Sequence, residues 1–231
     1  MTPPKLKKIT YAIAAGISLA TAGSALATTY DTTPSWNGSS SIQPFGKSDT
    51  ATYGQTFVAP SDSILDDFTF YLSGRATLQF QAEVYAWSGS LLGGGGGGAT
   101  GPALFTSAPI TLGPTVGFQA VTVNTGGLLL TPGADYVALF TVSGPDASDY
   151  TNSNGTDVWG RITSHVAGDG GGGFVFYNNG NNYGALNSSA WDNFADFGDS
   201  AWIANFHAPE PGTLALLGLA GIGLFRRRQQ S

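Results

Sequence analysis

The chain has 231 residues, 42% of them hydrophobic and 12% aromatic, which is enough to build a core and too apolar for disorder throughout. It contains 34 glycines, about twice the usual share, and no cysteine, which excludes disulfides, thiolate metal sites, a catalytic thiol and a lipid-modified N-terminal cysteine. The formal net charge of −6 understates the acidity of residues 28–208, where thirteen aspartates and Glu83 face only Lys47, Arg75 and Arg161, a balance of −11. Such a body lacks the cations that neutralise phosphates and is not a nucleic-acid binder.

In chain order, residues 1–27 read as a secretory signal peptide. Lys5, Lys7 and Lys8 form a basic start, an apolar stretch follows from Ile9 to about Ala22, and the segment closes on Ala25-Leu26-Ala27. Small residues at Ala25 and Ala27 are what a signal peptidase accepts, so the exported chain is expected to begin at Thr28.

Residues 28–208 carry a hydrophobic period of two. In residues 64–72, Phe68, Phe70 and Leu72 share one face; in 78–87, Leu78, Phe80, Ala82, Val84 and Ala86 point one way while Gln79, Gln81 and Glu83 point the other. Residues 116–124, 135–143, 156–162, 173–178 and 201–206 alternate similarly. Turn signals separate them at Ser73-Gly74, Thr131-Pro132-Gly133, Asn154-Gly155 and Asn179-Gly180. No stretch of this body has helical amphipathicity. The expectation is an all-β fold, an antiparallel β-sandwich of about eight to ten strands, of jelly-roll type. The two glycine tracts, residues 93–98 and 168–173, read as flexible loops, and Glu83 as a residue on a solvated face.

The chemistry of this body is sparse. The first glycine tract is followed by no Lys-Ser/Thr and so is no phosphate loop, and Gly-x-Ser-x-Gly is absent. The two histidines, His165 and His207, carry no motif spacing and read as solvated loop residues. No catalytic residue and no cofactor are expected, and the chain is read as a non-enzyme. Two groups of oxygen donors could hold a structural calcium ion: Asp192, Asp196 and Asp199, and Asp62, Asp66 and Asp67. Exposed aromatics could form a sugar platform, the candidates being Trp87, Trp191 and Tyr183, the last two in an Asn- and Gly-rich loop.

The tail reads Pro209-Glu210-Pro211, then a nearly wholly apolar run to Phe225, then Arg226-Arg227-Arg228. This tripartite ending resembles the PEP-CTERM sorting signal of Gram-negative bacteria: a Pro-Glu-Pro tripeptide, one membrane helix and a basic cluster. The run from Gly212 to Phe225 is 14 residues, about 21 Å of helix, short for a bilayer core of about 30 Å. Arginines that snorkel to the interface extend it, and lysines at one end and arginines at the other keep both ends cytoplasmic. The resemblance implies transient inner-membrane insertion, processing by an exosortase at Pro209, Glu210 and Pro211, and delivery to the cell surface or extracellular matrix. The chain is thus divided into a signal peptide (1–27), an exported sandwich (28–208) and a sorting signal (209–231). The stretch from Gly117 to Val137, a strand, a turn at Asn124-Thr125-Gly126-Gly127 and a Leu-x-Pro-Gly-x-x-Tyr entry into the next strand, also resembles ectodomains that carry such tails, and the entry is shared with jelly-roll carbohydrate-binding modules, which supports the fold. The expected role is that of a non-catalytic surface or matrix protein; the alternative is a lectin-like module acting on exopolysaccharide.

Overall fold

A computed structural model describes residues 27–47, 49–92, 96–144, 155–191 and 197–209. Among these, strands form at the alternating runs and also outside them: β1 (Thr28–Asp31), β2 (Ser41–Gly46), β3 (Thr52–Val58), β4 (Ile64–Ser73), β5 (Leu78–Ser88), β6 (Gly98–Thr106), β7 (Ile110–Leu112), β8 (Gln119–Leu129), β9 (Asp135–Thr141), β10 (Thr156–Ile162), β11 (Phe174–Tyr177), β12 (Asp199–Ser200) and β13 (Trp202–His207). All pairings between strands are antiparallel and build two sheets. In the first, β4 carries β8 on one side and β13 and β10 on the other; β13 then pairs with β1, and β10 with β2 and β12. The second has the order β11-β3-β9-β5-β6, with β7 also on β5.

Alternation places every second side chain between the sheets, where burial of aromatic surface drives folding. Phe68, Phe70 and Leu72 of β4 meet Phe80, Ala82 and Val84 of β5 and Ala138 and Phe140 of β9 in one buried cluster. Trp159 sits at its centre, with ring centroids 4.6 Å from Phe70 and 5.4 Å from both Phe45 and Phe140. Gln55 interrupts this apolar layer as a polar bridge between sheets: Ser200 N–H donates to its Oε1 at 2.8 Å, and its Nε2 donates to Asp199 at 3.3 Å. The Leu-x-Pro-Gly-x-x-Tyr segment closes on itself, with Thr131 N–H donating to the Tyr136 hydroxyl at 2.9 Å and Gly133 left-handed at φ +74°.

The second glycine tract departs from the expectation of a flexible loop. Residues 168–173 lie along β3, where Val58 N–H donates to Gly170 O at 2.9 Å and Thr56 N–H to Gly173 O at 3.0 Å, while Asp31 N–H of β1 donates to Gly168 O at 2.9 Å. The approach leaves no room for side chains: a Cβ on Gly172 would lie 1.8 Å from Thr56 O, and one on Gly170 would lie 2.6 Å from the Tyr30 ring. The tract is glycine-rich because two backbones touch there. Of the first tract, only Gly96, Gly97 and Gly98 lie within the described residues, and Gly97 rests against Trp87, whose ring a Cβ would meet at 2.6 Å.

Two outcomes follow from this packing. Gly172→Ala is expected to lower the unfolding free energy by about 1–3 kcal/mol or more, whereas Gly113→Ala, where a Cβ would meet nothing within 4 Å, is expected to be close to neutral; urea unfolding of the two variants measures the contrast. Asp157, 1% exposed, accepts from the backbone N–H groups of Arg75 and Ala76 through Oδ1, while its buried Oδ2 has no hydrogen-bond partner. Burial pushes its carboxyl above the ordinary carboxylate value, against those two bonds and the Arg75 charge. The folded state therefore binds this proton more tightly than the unfolded chain does. The contribution is fully present below the unfolded pKa and lost as pH rises through the raised folded value. Stability measured from acid toward neutral pH is expected to fall across that window, and Asp157→Asn to flatten the slope.

Candidate functional site

The three proposed sugar-stacking residues come together, but as packing. β5 presents Tyr85 and Trp87 on the face of the second sheet that points away from the sandwich core, and β9 adds Val137 and Leu139 there. Residues 178–191 fold over this face through a short 3-10 turn at Tyr183–Ala185 and place Leu186 and Trp191 against it. Trp87 and Trp191 meet edge to face at 5.3 Å and are 5% and 3% exposed. Each indole N–H is used internally, Trp87 to Ser90 O at 2.9 Å and Trp191 to Leu186 O at 2.8 Å. Sugar stacking requires an open ring face, so the expectation of exposed platforms at Trp87 and Trp191 is corrected: both rings belong to a second apolar cluster.

The same cover corrects the reading of Glu83. Its side chain does point away from the sandwich core, as the alternation requires, yet it is fully buried. The Tyr183 hydroxyl donates to Glu83 Oε1 at 2.9 Å, and the Tyr85 hydroxyl lies 3.1 Å from that of Tyr183. Burial pushes the Tyr183 hydroxyl up to about 12, so it stays protonated and serves as the donor this carboxylate needs.

The oxygen-donor groups are divided differently from the sequence reading. Asp192 and Asp196 lie outside the described residues. Asp199 is joined instead by His165 and Asp169, whose ligating atoms all lie within 4.8 Å of one another. His165 Nδ1 is 3.0 Å from Asp199 Oδ1, and Val166 N–H donates to Asp199 Oδ2 at 2.8 Å. One imidazole with two carboxylates is a mixed nitrogen–oxygen donor set, which suits a borderline divalent ion better than calcium, with its six to eight oxygens. Burial raises the Asp199 carboxyl, opposed first by the His165 hydrogen bond. In its present geometry the cluster ties the segment after β10 to β12. His165 is thus a bonded, half-buried residue, not a solvated one.

The second aspartate group does not converge on a centre. Thr28 donates to Asp62 at 2.8 Å, Asn205 Nδ2 donates to Asp67 at 2.8 Å, and His207 Nδ1 lies 2.8 Å from Asp66. All three hold strands β1 and β13, the two ends of the described body. A groove that sequence reasoning missed opens between Ile42 and Gln43 of β2, Tyr53 of β3, Arg161 of β10, Phe176 of β11 and Phe197, with a volume of about 250 Å³. The Arg161 guanidinium lies 5.1 Å over the Phe197 ring. Its residues come from four strands and a connection, so no linear spacing announces it.

The remaining functional feature is the C-terminal junction. β13 is paired on both sides, with β1 and with β4, and buries Trp202, Ala204 and Phe206 in the core. Strand order therefore continues to His207, two residues before Pro209. Because β1 runs antiparallel to β13, Thr28 stands directly opposite Phe206. Of the expected processing residues, Ala27 and Pro209 are described; Ala25, Glu210, Pro211, Arg226, Arg227 and Arg228 lie outside the described residues.

Residues 207–229 match the PEP-CTERM protein-sorting motif, the C-terminal sorting signal of exosortase substrates. The resemblance read from the tail is therefore the family match, and it marks the chain as an exported protein whose sorting signal is directed to a membrane. No curated protein matches the chain.

Trp191→Ala separates packing from ligand contact: loss of a buried indole is expected to cost about 3–5 kcal/mol of stability, read by urea unfolding, with a smaller loss for Tyr183→Phe, which removes only the hydroxyl that donates to Glu83 and meets that of Tyr85.

Proposed function

We propose that the chain is a non-catalytic cell-surface or extracellular-matrix protein, cleaved by signal peptidase after Ala27, held briefly in the inner membrane by its tail, and trimmed there by an exosortase at Pro209-Glu210-Pro211. The observation that carries this reading is the junction: the sorting motif begins where a central, doubly paired strand ends, and the expected mature N-terminus, Thr28, lies across from Phe206, that strand's penultimate residue. Both processing points leave the body at one corner. The acidity of the body disfavours its contact with anionic headgroups. The two prolines flanking Glu210 disfavour helix at the residues that precede them and remove backbone donors from the junction, which suits a protease substrate.

We further infer a jelly-roll arrangement. It is supported by the pairing orders β2-β10-β4-β8 and β3-β9-β5-β6, in which successive strands from β2 to β5 cross between the two sheets.

A second reading, an exopolysaccharide-binding module, is favoured by the groove at Tyr53, Phe176 and Phe197, which combines aromatic rings with the Arg161 guanidinium and the Gln43 amide. This combination, and not Trp87 or Trp191, is where a sugar with an acidic substituent would meet both a ring and a cation. Intact-mass measurement of the native exported protein tests the first reading. The expected species starts at Thr28 and ends within Pro209–Pro211, and outer-surface chains still carrying Arg226–Arg228 would overturn the processing. Retention on extracted exopolysaccharide, lost in Phe176→Ala with the fold intact, would establish the second.

A further inference from the structure

We propose that β8 is a docking edge for a second copy of this chain, with residues 119–124 of the two copies pairing antiparallel about Thr122 to join their first sheets into one. Sheet edges expose unpaired N–H and C=O groups, and folded proteins blunt them with short strands, prolines, charges or bulges. The other outer strands among the described residues have such a device. β1 and β11 span four residues each, β7 three and β12 two; β1 ends in Asp31; β2 contains Pro44; β6 contains Pro102 beside the left-handed Gly101 at φ +69°. β8 spans 11 residues, pairs only with β4 among the described residues, and contains neither proline nor charge. Its one irregularity is the left-handed pair Gly126 and Gly127, at φ +75° and +86°, which confines the flat part of the edge to residues 119–124.

Charge selects the occupant. The sequence has no Asp, Glu, Lys, Arg or His from residue 84 to residue 134, a stretch that contains all of β6, β7 and β8. Residues 28–208 otherwise carry an excess of acids, of which Asp67 of β4, opposite Asn124, lies one strand in from this edge and accepts from Asn205, so two copies repel one another through most approaches and less along β8 itself. A basic partner would be drawn to the acidic surface instead. The edge is also self-complementary. With Thr122 opposite Thr122 of the second copy, half-buried Val121 faces buried Val123 across the two-fold axis and exposed Ala120 faces exposed Asn124. β-branched pairs and threonine pairs are favourable cross-strand neighbours, and Thr122 already makes one, its hydroxyl 2.8 Å from that of Thr69 on β4. Closed two-fold pairing uses the edge once and leaves no open strand to propagate.

The absence of cysteine supplies the test. In the exported protein recovered from its host, Thr122→Cys is expected to form a disulfide-linked dimer on mild oxidation, while exposed Ser39→Cys stays monomeric. In sedimentation experiments, Thr122→Lys and Ala120→Lys are each expected to weaken dimerisation by about tenfold or more, Thr122→Val to preserve it, and all three to keep the far-ultraviolet spectrum and melting transition of the parent. A parent protein that sediments as a monomer at every concentration reached, a dimer indifferent to both lysines, or cross-linking equal at positions 122 and 39 would each overturn the proposal.

Discussion

The pairing of the last described strand with the first is the constraint on which this molecule is arranged. β13 sits between β1 and β4, and its Trp202, Ala204 and Phe206 complete the apolar layer between the sheets. The first sheet cannot close until the chain has been delivered as far as His207, so the most C-terminal part of the body is also among its most internal. The three aspartates at residues 62, 66 and 67 reinforce the same seam, each taking a partner from β1 or β13. The sorting signal then starts without a spacer. A protein addressed through its tail thus holds that tail by a strand that cannot be removed without opening the core.

The second sheet is organised by a different balance. Its inner face contributes to the aromatic core around Trp159, and its outer face, which in a two-layer sandwich would be wet, is roofed by residues 178–191. Roofing a sheet that carries a carboxylate is costly unless the charge finds a donor. Tyr183 provides it, from the same segment that provides Trp191 and Leu186. Apolar cover and polar partner thus arrive together in one segment.

Glycine has two separate uses in the body. Along β3 it allows one backbone to lie against another, as Gly172 does against Thr56, and against Trp87 it allows Gly97 to pack on an indole face. Neither use is flexibility. The acidic, lysine-poor composition has the opposite effect to these close contacts, opposing the approach of a second copy over most of the body.

The sequence by itself determined the destination signal, the all-β class and the facing of each recognised strand, because these depend on local order: a tripartite tail, a period of two and turn residues between runs. The inward rows of β4 and β5 are as the alternation sets them. Strand β3 escaped notice because Gly54 and Gln55 interrupt its pattern: a Cβ on Gly54 would crowd Val137 and Leu139 of the neighbouring β9, and Gln55 makes sense only across the sandwich, where it meets Asp199 and Ser200. Likewise, alternation says that Glu83, Tyr85 and Trp87 face away from the core, but not that a segment about a hundred residues later will cover them. Only the tertiary structure decided that burial, the company of Asp199 with His165 and Asp169, and the meeting of Thr28 with Phe206. Each joins residues far apart in sequence, and no local period records which distant segment will supply the other half of a contact.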